Sequence, residues 1–439
     1  MLKNIFISIL MIGSTIFSQE QKLTLSKCIQ LSLEKSFQTN IEKSKLRSQK
    51  AKILEINTYL LPDIKLYAGY SRLSKVSPFQ VDLPGITNGP VTISKSIFNN
   101  YNAQLSLNQL IFAGFRIQKQ IEIVNEEYNR QNIQIEAKMN DEALEVTYQF
   151  YDSYKLKKEI DYLKLKLESV DEHLQIITNL FKNGKVLKNE ILKYEIHKAK
   201  IELKLIITTN QYELNMVKLL NKIGVDNTLN YSLEYSFQEE IEPVEISDEM
   251  IIHSIETRSE IKITKINEQI IQSTSDLAKS DYYPTISFNG NYYYSKPNQR
   301  IMPTIDQFKN TWAINLNLSW ELWNWGRSNY AVQQIEESHY QNQQQLNQLK
   351  EDIGINVKDC LNKYENDKKT LVIKKKTKDL ANENYRIIKE LYQNQQATNA
   401  DLVDAETEQI ELELNYLTGE IDIRISQVSL EKALGKKIY

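Results

Sequence analysis

Proline and glycine are scarce in this chain, where only 12 glycines and 8 prolines interrupt 439 residues. Because these two residues end most helices and strands, their scarcity predicts long uninterrupted elements, and mostly helices. Cysteine is scarcer still. Cys28 and Cys360 lie far apart and form no metal-binding or redox motif, so we expect both to be small buried hydrophobic residues.

An excess of charge of one sign is also missing. The formal net charge is -3, so no global basic field draws the chain to nucleic acid. The basic run at residues 374–378 is interpreted as a solvated helix face, with a nucleic-acid patch as the weaker alternative. After residue 18 no apolar run is long enough to span a membrane. The apolar run at residues 5–17 follows Lys3 and is also too short, so residues 1–18 are predicted to be a secretory signal peptide.

Residues that would indicate catalysis or metal binding are not grouped in the sequence. Four histidines are isolated on predicted helices, with no partner at metal-ligand spacing: His173, His197, His253 and His339. No glycine-rich phosphate loop or nucleophile elbow is present. We therefore expect no catalytic residues, no metal site and no cofactor.

The chain does contain segments in which apolar and polar residues alternate. Between residues 312 and 322 every second residue is apolar: Trp312, Ile314, Leu316, Leu318, Trp320 and Leu322. Such alternation predicts a strand with one apolar face, and its terminal aromatic rings are typical of the girdles of a lipid-facing strand. Three more strands are predicted at residues 63–74, 101–111 and 285–295. A loop at 75–100 joins the first two into a hairpin.

The alternation has two interpretations. A soluble hairpin packed on helices also alternates, whereas the export signal, the aromatic residues near strand ends and the polar but uncharged faces favour a membrane. Four strands cannot close a barrel, and an open sheet edge in lipid leaves backbone groups unpaired at several kcal/mol each. A membrane barrel must then be shared among chains. The alternation alone permits a dimer or a trimer.

Long helices follow the hairpins, and the whole plan occurs twice. In residues 117–183, which lack proline and glycine, apolar positions step by three and four and predict a coiled-coil seam: Ile160, Leu163, Leu167, Val170, Leu174, Ile177 and Phe181. Arg116 matches Arg327 and Gly224 matches Gly435, both 211 residues apart. We expect repeats at 19–242 and 243–439. The first begins with helices at 23–36 and 41–61, and the second with a helix at 247–282. Each then contains a β-hairpin (63–111 and 285–322) and a helical hairpin (116–223 and 327–434).

The junctions between strand and helix resemble those of a known family. Residues 109–116 read QLIFAGFR and residues 320–327 read WELWNWGR, while Leu61-Pro62 and Tyr283-Pro284 precede strands. With the signal peptide and the duplication, these features resemble the TolC-like outer-membrane efflux proteins, whose junction motif resembles QPLFDGGR. Neither copy here keeps the proline, and each keeps one glycine. The resemblance covers essentially the whole chain after the signal peptide.

The resemblance implies a mainly α fold with a membrane β part. In a homotrimer, four strands per chain would form one 12-stranded β-barrel, surrounded by outer-membrane lipid and continuous with an α-helical periplasmic tunnel. Gly114, Arg116, Gly326 and Arg327 would mark the barrel–tunnel junction. Residues 225–246 and the C-terminal tail would form a belt around the middle of the tunnel. The apolar residues of 312–322 would face lipid.

The implied function is the outer-membrane exit duct of a tripartite efflux pump or type I secretion system in a Gram-negative-type cell. The implied partners are a periplasmic adaptor protein and an inner-membrane pump of the resistance-nodulation-division or ABC type. The alternative is a soluble periplasmic helical-hairpin adaptor or scaffold, which needs no lipid-facing strands.

The turns between the long helices carry the implied functional residues. Residues 392–404 resemble the family's tip motif, which implies that Tyr392, Asp401 and Asp404 form a periplasmic constriction where rings of carboxylates select cations. Asp401 could instead be only a helix-terminal carboxylate. Gln395 replaces a glycine, and Ala397 stands where an arginine latch can stand. The turns are expected to contact the adaptor, or else to be ordinary solvent turns, through Asn183, Gly184, Lys185, Val186, Leu187, Gln395, Gln396 and Ala397.

Overall fold

The structure of the protein is a computed structural model, which describes residues 21–82, 84–86, 89–94, 96–226, 231–234 and 248–439. The predicted signal peptide and most of the predicted belt segment lie outside this range. The α-helices are α1 Leu25–Lys35, α2 Phe37–Thr58, α3 Arg116–Lys182, α4 Lys188–Lys222, α5 Asp248–Thr257, α6 Ser259–Lys279, α7 Arg327–Gln393 and α8 Asn399–Ala433. The strands are β1 Gln21–Leu23, β2 Asp63–Arg72, β3 Phe79–Val81, β4 Val91–Ser94, β5 Asn99–Ala113, β6 Tyr231–Leu233, β7 Thr285–Lys296 and β8 Lys309–Ser319.

The four longest helices form two matched pairs. α3 and α7 have 67 residues each, and α4 and α8 have 35 residues each. Both matches start 211 residues apart in the sequence. The mainly α fold with two long helical hairpins and a β part is therefore confirmed. The division of the chain at residue 242 stays a prediction. None of the described helices combines the length and the apolar character needed to cross a membrane.

The described residues divide into two compact units. The first takes its residues from Met1–Lys43, Gln134–Ser259 and Lys350–Tyr439. In this unit β1 pairs in parallel with β6, and two apolar clusters form the core. The predicted seam residues Ile160, Leu163, Val170 and Ile177 are buried, whereas Phe181 at the end of α3 is exposed. The three-and-four spacing thus identifies the buried side of α3.

The second unit, Ser44–Ile133 and Glu260–Leu349, contains an antiparallel sheet in the order β2-β5-β7-β8. β2 and β5 form the first predicted hairpin, and β7 and β8 form the second. Between them, β5 pairs with β7. All four predicted strands are therefore present in one sheet, and β2 and β8 are its edges.

Three predictions about segments are wrong in part. The loop predicted at 75–100 contains β3 and β4, which pair as a short hairpin because their aromatic and β-branched residues favour strands. The irregular segment predicted at 225–246 contains β6. The single helix predicted at 247–282 is divided into α5, α6 and a 3-10 turn at Ser280–Tyr282. α5 ends at Thr257, and α6 begins at Ser259.

The strand predicted at 312–322 is displaced, since β8 spans Lys309–Ser319. Its partner β7 begins at Thr285, opposite Ser319, directly after Pro284, which has no backbone N–H. Trp320 and Leu322 therefore lie beyond the strand. The indole N–H of Trp320 donates to the carbonyl of Tyr282 at 3.1 Å.

The two cysteines differ in burial. Cys28 is fully buried among the core residues of the first unit, as predicted. Cys360 is only partly buried, because the side of α7 on which it lies keeps contact with solvent. The prediction of a buried residue is therefore wrong for Cys360.

Candidate functional site

One face of the four-stranded sheet is apolar across all four strands. Residues directly opposite each other in an antiparallel sheet share a face. Leu66 lies opposite Leu105, Leu105 opposite Tyr292, and Tyr292 opposite Trp312. The predicted apolar residues of 312–322 are between 53% and 76% exposed: Trp312, Ile314, Leu316, Leu318, Trp320 and Leu322. A continuous apolar surface of this kind needs a lipid or protein cover.

The opposite face of the sheet is polar and rich in amides. Asn108 lies opposite Asn289, and Asn289 opposite Asn315. Between strands, the side chain of Gln104 donates a hydrogen bond to that of Asn291 at 2.9 Å. On this face β2 carries Lys65, whose ammonium contacts Asp63 at the start of the strand. The polar face is therefore suited to contact with water.

Both strand-to-helix junctions contain two consecutive residues with a left-handed backbone. Gly114 and Phe115 have φ of 61° and 63°, and Trp325 and Gly326 have φ of 56° and 79°. A Cβ on Gly114 would lie 2.5 Å from the carbonyl oxygen of Ser280, so that position requires glycine. The two turns thus keep one geometry although each keeps only one glycine. Phe115 and Trp325 adopt the left-handed backbone without being glycine, so both turns form with a single glycine each.

The arginines at the junctions find carboxylates in different parts of the chain. Arg116 donates from Nε to the hydroxyl of Ser280 at 3.1 Å, and its Nη2 contacts Asp281. Arg327 donates from Nη2 to Glu321 at 2.6 Å. The position matching Glu321 in the first repeat is Leu110, which has no carboxylate. Each arginine therefore has one nearby carboxylate. For Arg327 it lies six residues earlier in the sequence, whereas for Arg116 it comes from the distant residue Asp281.

The two turns between long helices share a helix-ending motif. The N–H of Gly184 donates to the carbonyl of Phe181 at 2.9 Å, and the N–H of Gln395 donates to that of Tyr392 at 3.0 Å. In each turn the next residue closes a second bond, which makes both turns Schellman motifs. Gly184 and Gln395 have φ of 69° and 61°. Gln395 thus adopts the backbone that glycine adopts in the other turn.

Asp401 caps the N-terminus of α8. Its carboxylate accepts from the backbone N–H of Thr398 at 2.8 Å and from the Thr398 hydroxyl at 2.7 Å. The Thr398 hydroxyl in turn accepts from the backbone N–H of Asp401, which completes a capping box. These hydrogen bonds lower the pKa of Asp401. Asp404, one turn further along α8, is exposed, and Tyr392 is partly buried.

The predicted partner-contacting residues of both turns are accessible. Val186 and Ala397 are partly buried. The other six are exposed: Asn183, Gly184, Lys185, Leu187, Gln395 and Gln396. Leu187 is 73% exposed, whereas Val186 packs against a core cluster. The two turns are tied together, since the Asn399 side chain donates to the carbonyl of Glu190 at 3.2 Å. Both turns therefore belong to one accessible surface.

A buried polar cluster lies among α3, α4, α7 and α8, and no pattern in the sequence predicts it. Glu406 is fully buried, 3.5 Å from Nε2 of His197 and 3.4 Å from the hydroxyl of Tyr385. The Tyr194 ring lies between the rings of His197 and His173, with centroids about 6 Å apart in each pair. His197 therefore has a buried carboxylate neighbour and His173 an aromatic neighbour, although neither belongs to a group of metal ligands among the described residues. His197 and Glu406 lie on different helices, far apart in the sequence, so no local pattern indicates that they are in contact.

Burial governs the titration of this cluster. It lowers the pKa of His173 and raises the pKa of Tyr385 to about 12. The nearby Lys166, which lies over the Tyr385 ring at 4.8 Å, also has a pKa lowered by burial. Within the part of the chain that the structure describes, no three His, Cys, Asp or Glu side chains are arranged to hold a metal ion.

The predicted solvated face at residues 374–378 packs partly against α8. Lys374 lies 3.7 Å from Asp422, and Lys378 lies 3.9 Å from Glu413. The Lys378 ammonium is also 4.0 Å from the centre of the Tyr416 ring. These contacts use the lysines within the helical unit, which favours the interpretation as a helix face.

Residues 253–436 match the family model described as "Outer membrane efflux protein". No curated protein matches the sequence. The CmeC outer membrane channel of Campylobacter jejuni has a similar structure, with a TM-score of 0.77 and 15% identity over 94% of this chain and 85% of that one. The outer membrane protein VceC of Vibrio cholerae gives a TM-score of 0.73 and 13% identity over 94% of this chain and 97% of that one.

The MtrE outer membrane channel of Neisseria gonorrhoeae, in its open state, gives a TM-score of 0.74 and 15% identity over 94% of this chain and 89% of that one. At such identities the likeness shows a shared fold. It extends over nearly the whole chain, including the first half, which lies outside the family match.

Proposed function

We propose that the chain is a member of the outer membrane efflux protein family, whose model matches residues 253–436, and that it is the outer-membrane exit duct of a tripartite efflux pump or type I secretion system. It is a passive conduit in this role. An inner-membrane transporter supplies the energy, and a periplasmic adaptor connects that transporter to the duct. The chain lies in the outer membrane of a Gram-negative-type cell, with its long helices in the periplasm.

The two faces of the sheet carry this proposal. One face presents apolar side chains on all four strands, and the other presents amides and hydroxyls with little charge. A strand between lipid and a water-filled lumen needs this combination. Each edge strand has one partner, β5 for β2 and β7 for β8, and pairs with no further strand among the described residues. In lipid such edges must be closed, so the barrel is built from several chains.

Three chains of four strands each make the 12-stranded barrel expected for this family. The apolar residues of 312–322 then face lipid, and Gly114, Arg116, Gly326 and Arg327 lie where strands give way to helices. The turns at residues 183–187 and 395–397 contact the adaptor. Tyr392 and Asp404 line the periplasmic constriction, where Asp404 is exposed and available to the lumen. Asp401 primarily caps α8 and contributes charge to the same opening.

The test determines in which cell fraction the full chain is found and how many copies of it associate. Expressed with its own N-terminal segment in a Gram-negative host, it is expected in the outer-membrane fraction of a density gradient. Native mass spectrometry in detergent is expected to give trimers, and these should form conducting pores in planar bilayers. Recovery with a soluble periplasmic marker would instead support the adaptor or scaffold alternative. Membrane-bound monomers without conductance would also reject the exit duct.

A further inference from the structure

The residues of the two edge strands, β2 and β8, indicate how these strands pair between two copies of the chain. We infer that β8 of one copy pairs antiparallel with β2 of a neighbouring copy, in the register that β5 and β7 use within the chain, so that Leu318 lies opposite Ala68. This inference rests on the proposed trimer. It adds which residues face each other across the boundary between copies.

The two hairpins have identical internal registers, which makes the transfer possible. Asp63 lies opposite Asn108 in the first hairpin, and Thr285 lies opposite Ser319 in the second. Thr285 follows Asp63 by 222 residues, and Ser319 follows Asn108 by 211. β7 is therefore the structural equivalent of β2, and β8 that of β5. A β8–β2 contact between copies repeats the β5–β7 contact within one copy.

The β5–β7 register then specifies the contact between copies. Within the chain Leu107 lies opposite Gly290. Adding 211 to the first number and subtracting 222 from the second gives Leu318 opposite Ala68. The same shift places Leu316 opposite Tyr70, so apolar residues meet apolar residues. The apolar and polar faces of the sheet continue across the boundary without interruption.

Charge supports this register independently of the apolar residues. Leu110 lies opposite Ser287 within the chain, and the shift converts this pair into Glu321 opposite Lys65 of the neighbouring copy. Directly opposed opposite charges stabilise a strand pair, and like charges destabilise it. Sliding the strands by two residues would put Glu321 opposite either Asp63 or Tyr67. The inferred register is the one of the three that pairs the two charges favourably.

The length of β8 also follows from a missing neighbour. β5 continues to Ala113 because, after an irregularity between Leu110 and Phe112, it still pairs with the start of β7. β8 ends at Ser319, the equivalent of Asn108, because Ser319 lies opposite Thr285, the first residue of β7, and no residue of β7 remains to pair with. In the inferred contact Trp320 lies opposite Leu66 of the neighbouring copy. The alternation that continues to Leu322 is thus the part of the strand that a second copy completes.

Cysteine pairs in the full-length chain test the register. In a Cys28→Ala, Cys360→Ala background, Leu318→Cys is combined with Ala68→Cys, and in two control chains with Leu66→Cys or Tyr70→Cys. Directly opposed Cβ atoms lie about 5 Å apart, whereas diagonal neighbours lie about 7 Å apart, beyond disulfide reach. Within one copy the two edges are separated by three strand spacings, roughly 14 Å, which excludes an intrachain bond.

The expected result is a covalent trimer on a non-reducing gel for Leu318→Cys with Ala68→Cys, in about tenfold higher yield than for either control, because only opposed positions reach disulfide distance. Native trimers that link best through a control pair, or through none of the three, would overturn the register and leave the trimer intact. A wild-type chain that is not trimeric would reject the proposed assembly itself, which native mass spectrometry shows separately.

A charge exchange gives a second test that needs no cysteine. Lys65→Glu places Glu opposite Glu321, and Glu321→Lys places Lys opposite Lys65, so each change alone should lower the yield of trimer several-fold. The double exchange restores opposite charges and should recover most of that yield. Arg327 is unchanged in both Glu321→Lys chains, so the recovery reports the Lys65–Glu321 pair. A double exchange no better than the single changes would contradict the inferred register.

Discussion

Three residues other than glycine have a left-handed backbone among those the structure describes, and each has a glycine at the matching position of the other repeat. Gln395 matches Gly184, and Trp325 matches Gly114. The third, Phe115, matches Gly326. The duplicated turns therefore keep their backbone conformation where they have lost the residue that adopts it most easily. A side chain in this conformation costs roughly 1–2 kcal/mol.

Restoring glycine at position 395 should stabilise the second tip. Gln395→Gly removes the penalty of a left-handed side chain and should strengthen the cap by about 1 kcal/mol. Hydrogen exchange of the Gln396 amide, which donates to the carbonyl of Leu391 at 2.8 Å, measures the change. Gly184→Ala is the matched control and should speed exchange of the Lys185 amide. Slower exchange after the alanine substitution would contradict this assignment.

Acid should weaken the helical unit through His173. Burial lowers the pKa of His173 below its ordinary value of 6.5, so the unfolded chain takes up the proton more readily than the folded chain. Stability should therefore be unaffected above that value and fall as the pH drops from 6.5 towards the folded pKa. His197, Glu406 and Lys166 lie in the same cluster.

Denaturant midpoints at pH 7.5 and pH 5.5 measure this effect. His173→Gln keeps a similar volume without a titrating ring, so it should reduce the loss of stability on acidification. His339→Gln, at a more exposed position of α7, is the control. Equal losses in His173→Gln and wild type would show that His173 does not carry the pH dependence.

At the scale of elements, the helices have fixed lengths and the strand connections do not. α3 matches α7 and α4 matches α8 in length, and all four end in a left-handed cap with a Schellman pattern. The connection after β2, by contrast, holds the extra strands β3 and β4. Paired helices must match over their whole length to keep the seam buried, whereas a surface connection tolerates insertions.

The two faces of β8 should respond differently to a buried charge. Leu316→Arg, further from the end of β8 on the apolar face, should cost about 2–4 kcal/mol, the range for a charge near the middle of the bilayer. Asn317→Arg, one residue later on the polar face, should cost much less because that side contacts water. The yield of trimer after extraction from the outer membrane compares the two. Similar yields would place both residues in the same environment and contradict the proposed faces.

At the scale of the molecule, a single chain leaves its sheet incomplete. Both edge strands lack a further partner strand among the described residues, and the apolar face is exposed. A shared barrel would satisfy both needs together. The helical unit has its own buried clusters and closes its helix ends with caps. The need for other copies is therefore concentrated in the sheet.

The exposed carboxylate of Asp404 should set the charge of the periplasmic opening. Three copies would form a ring that attracts multivalent cations, so Asp404→Asn should raise the half-blocking concentration of a trivalent cation by about tenfold in planar bilayers. Asp401→Asn is the matched comparison and should change block less, because Asp401 is held by Thr398. Unchanged block in Asp404→Asn would remove this residue from the lumen.

Much of the architecture follows from the sequence because it depends on local patterns. Alternation identifies the four strands and their apolar faces, and the spacing of residues such as Leu163 and Val170 identifies the helical seam. Local signals could not show where β8 ends, since that depends on the start of β7. They also missed β3 and β4, which are too short for periodicity to distinguish from a loop.

The duplicated plan of two hairpins and two pairs of long helices follows from the amino-acid sequence, because scarce breakers and repeated motifs act within a few residues of chain. The tertiary structure sets which distant residues meet. It brought His197 on α4 against Glu406 on α8, gave Asp401 a capping role, and supplied Arg116 with Asp281. Such contacts depend on the packing and register of separate elements, which no local pattern encodes.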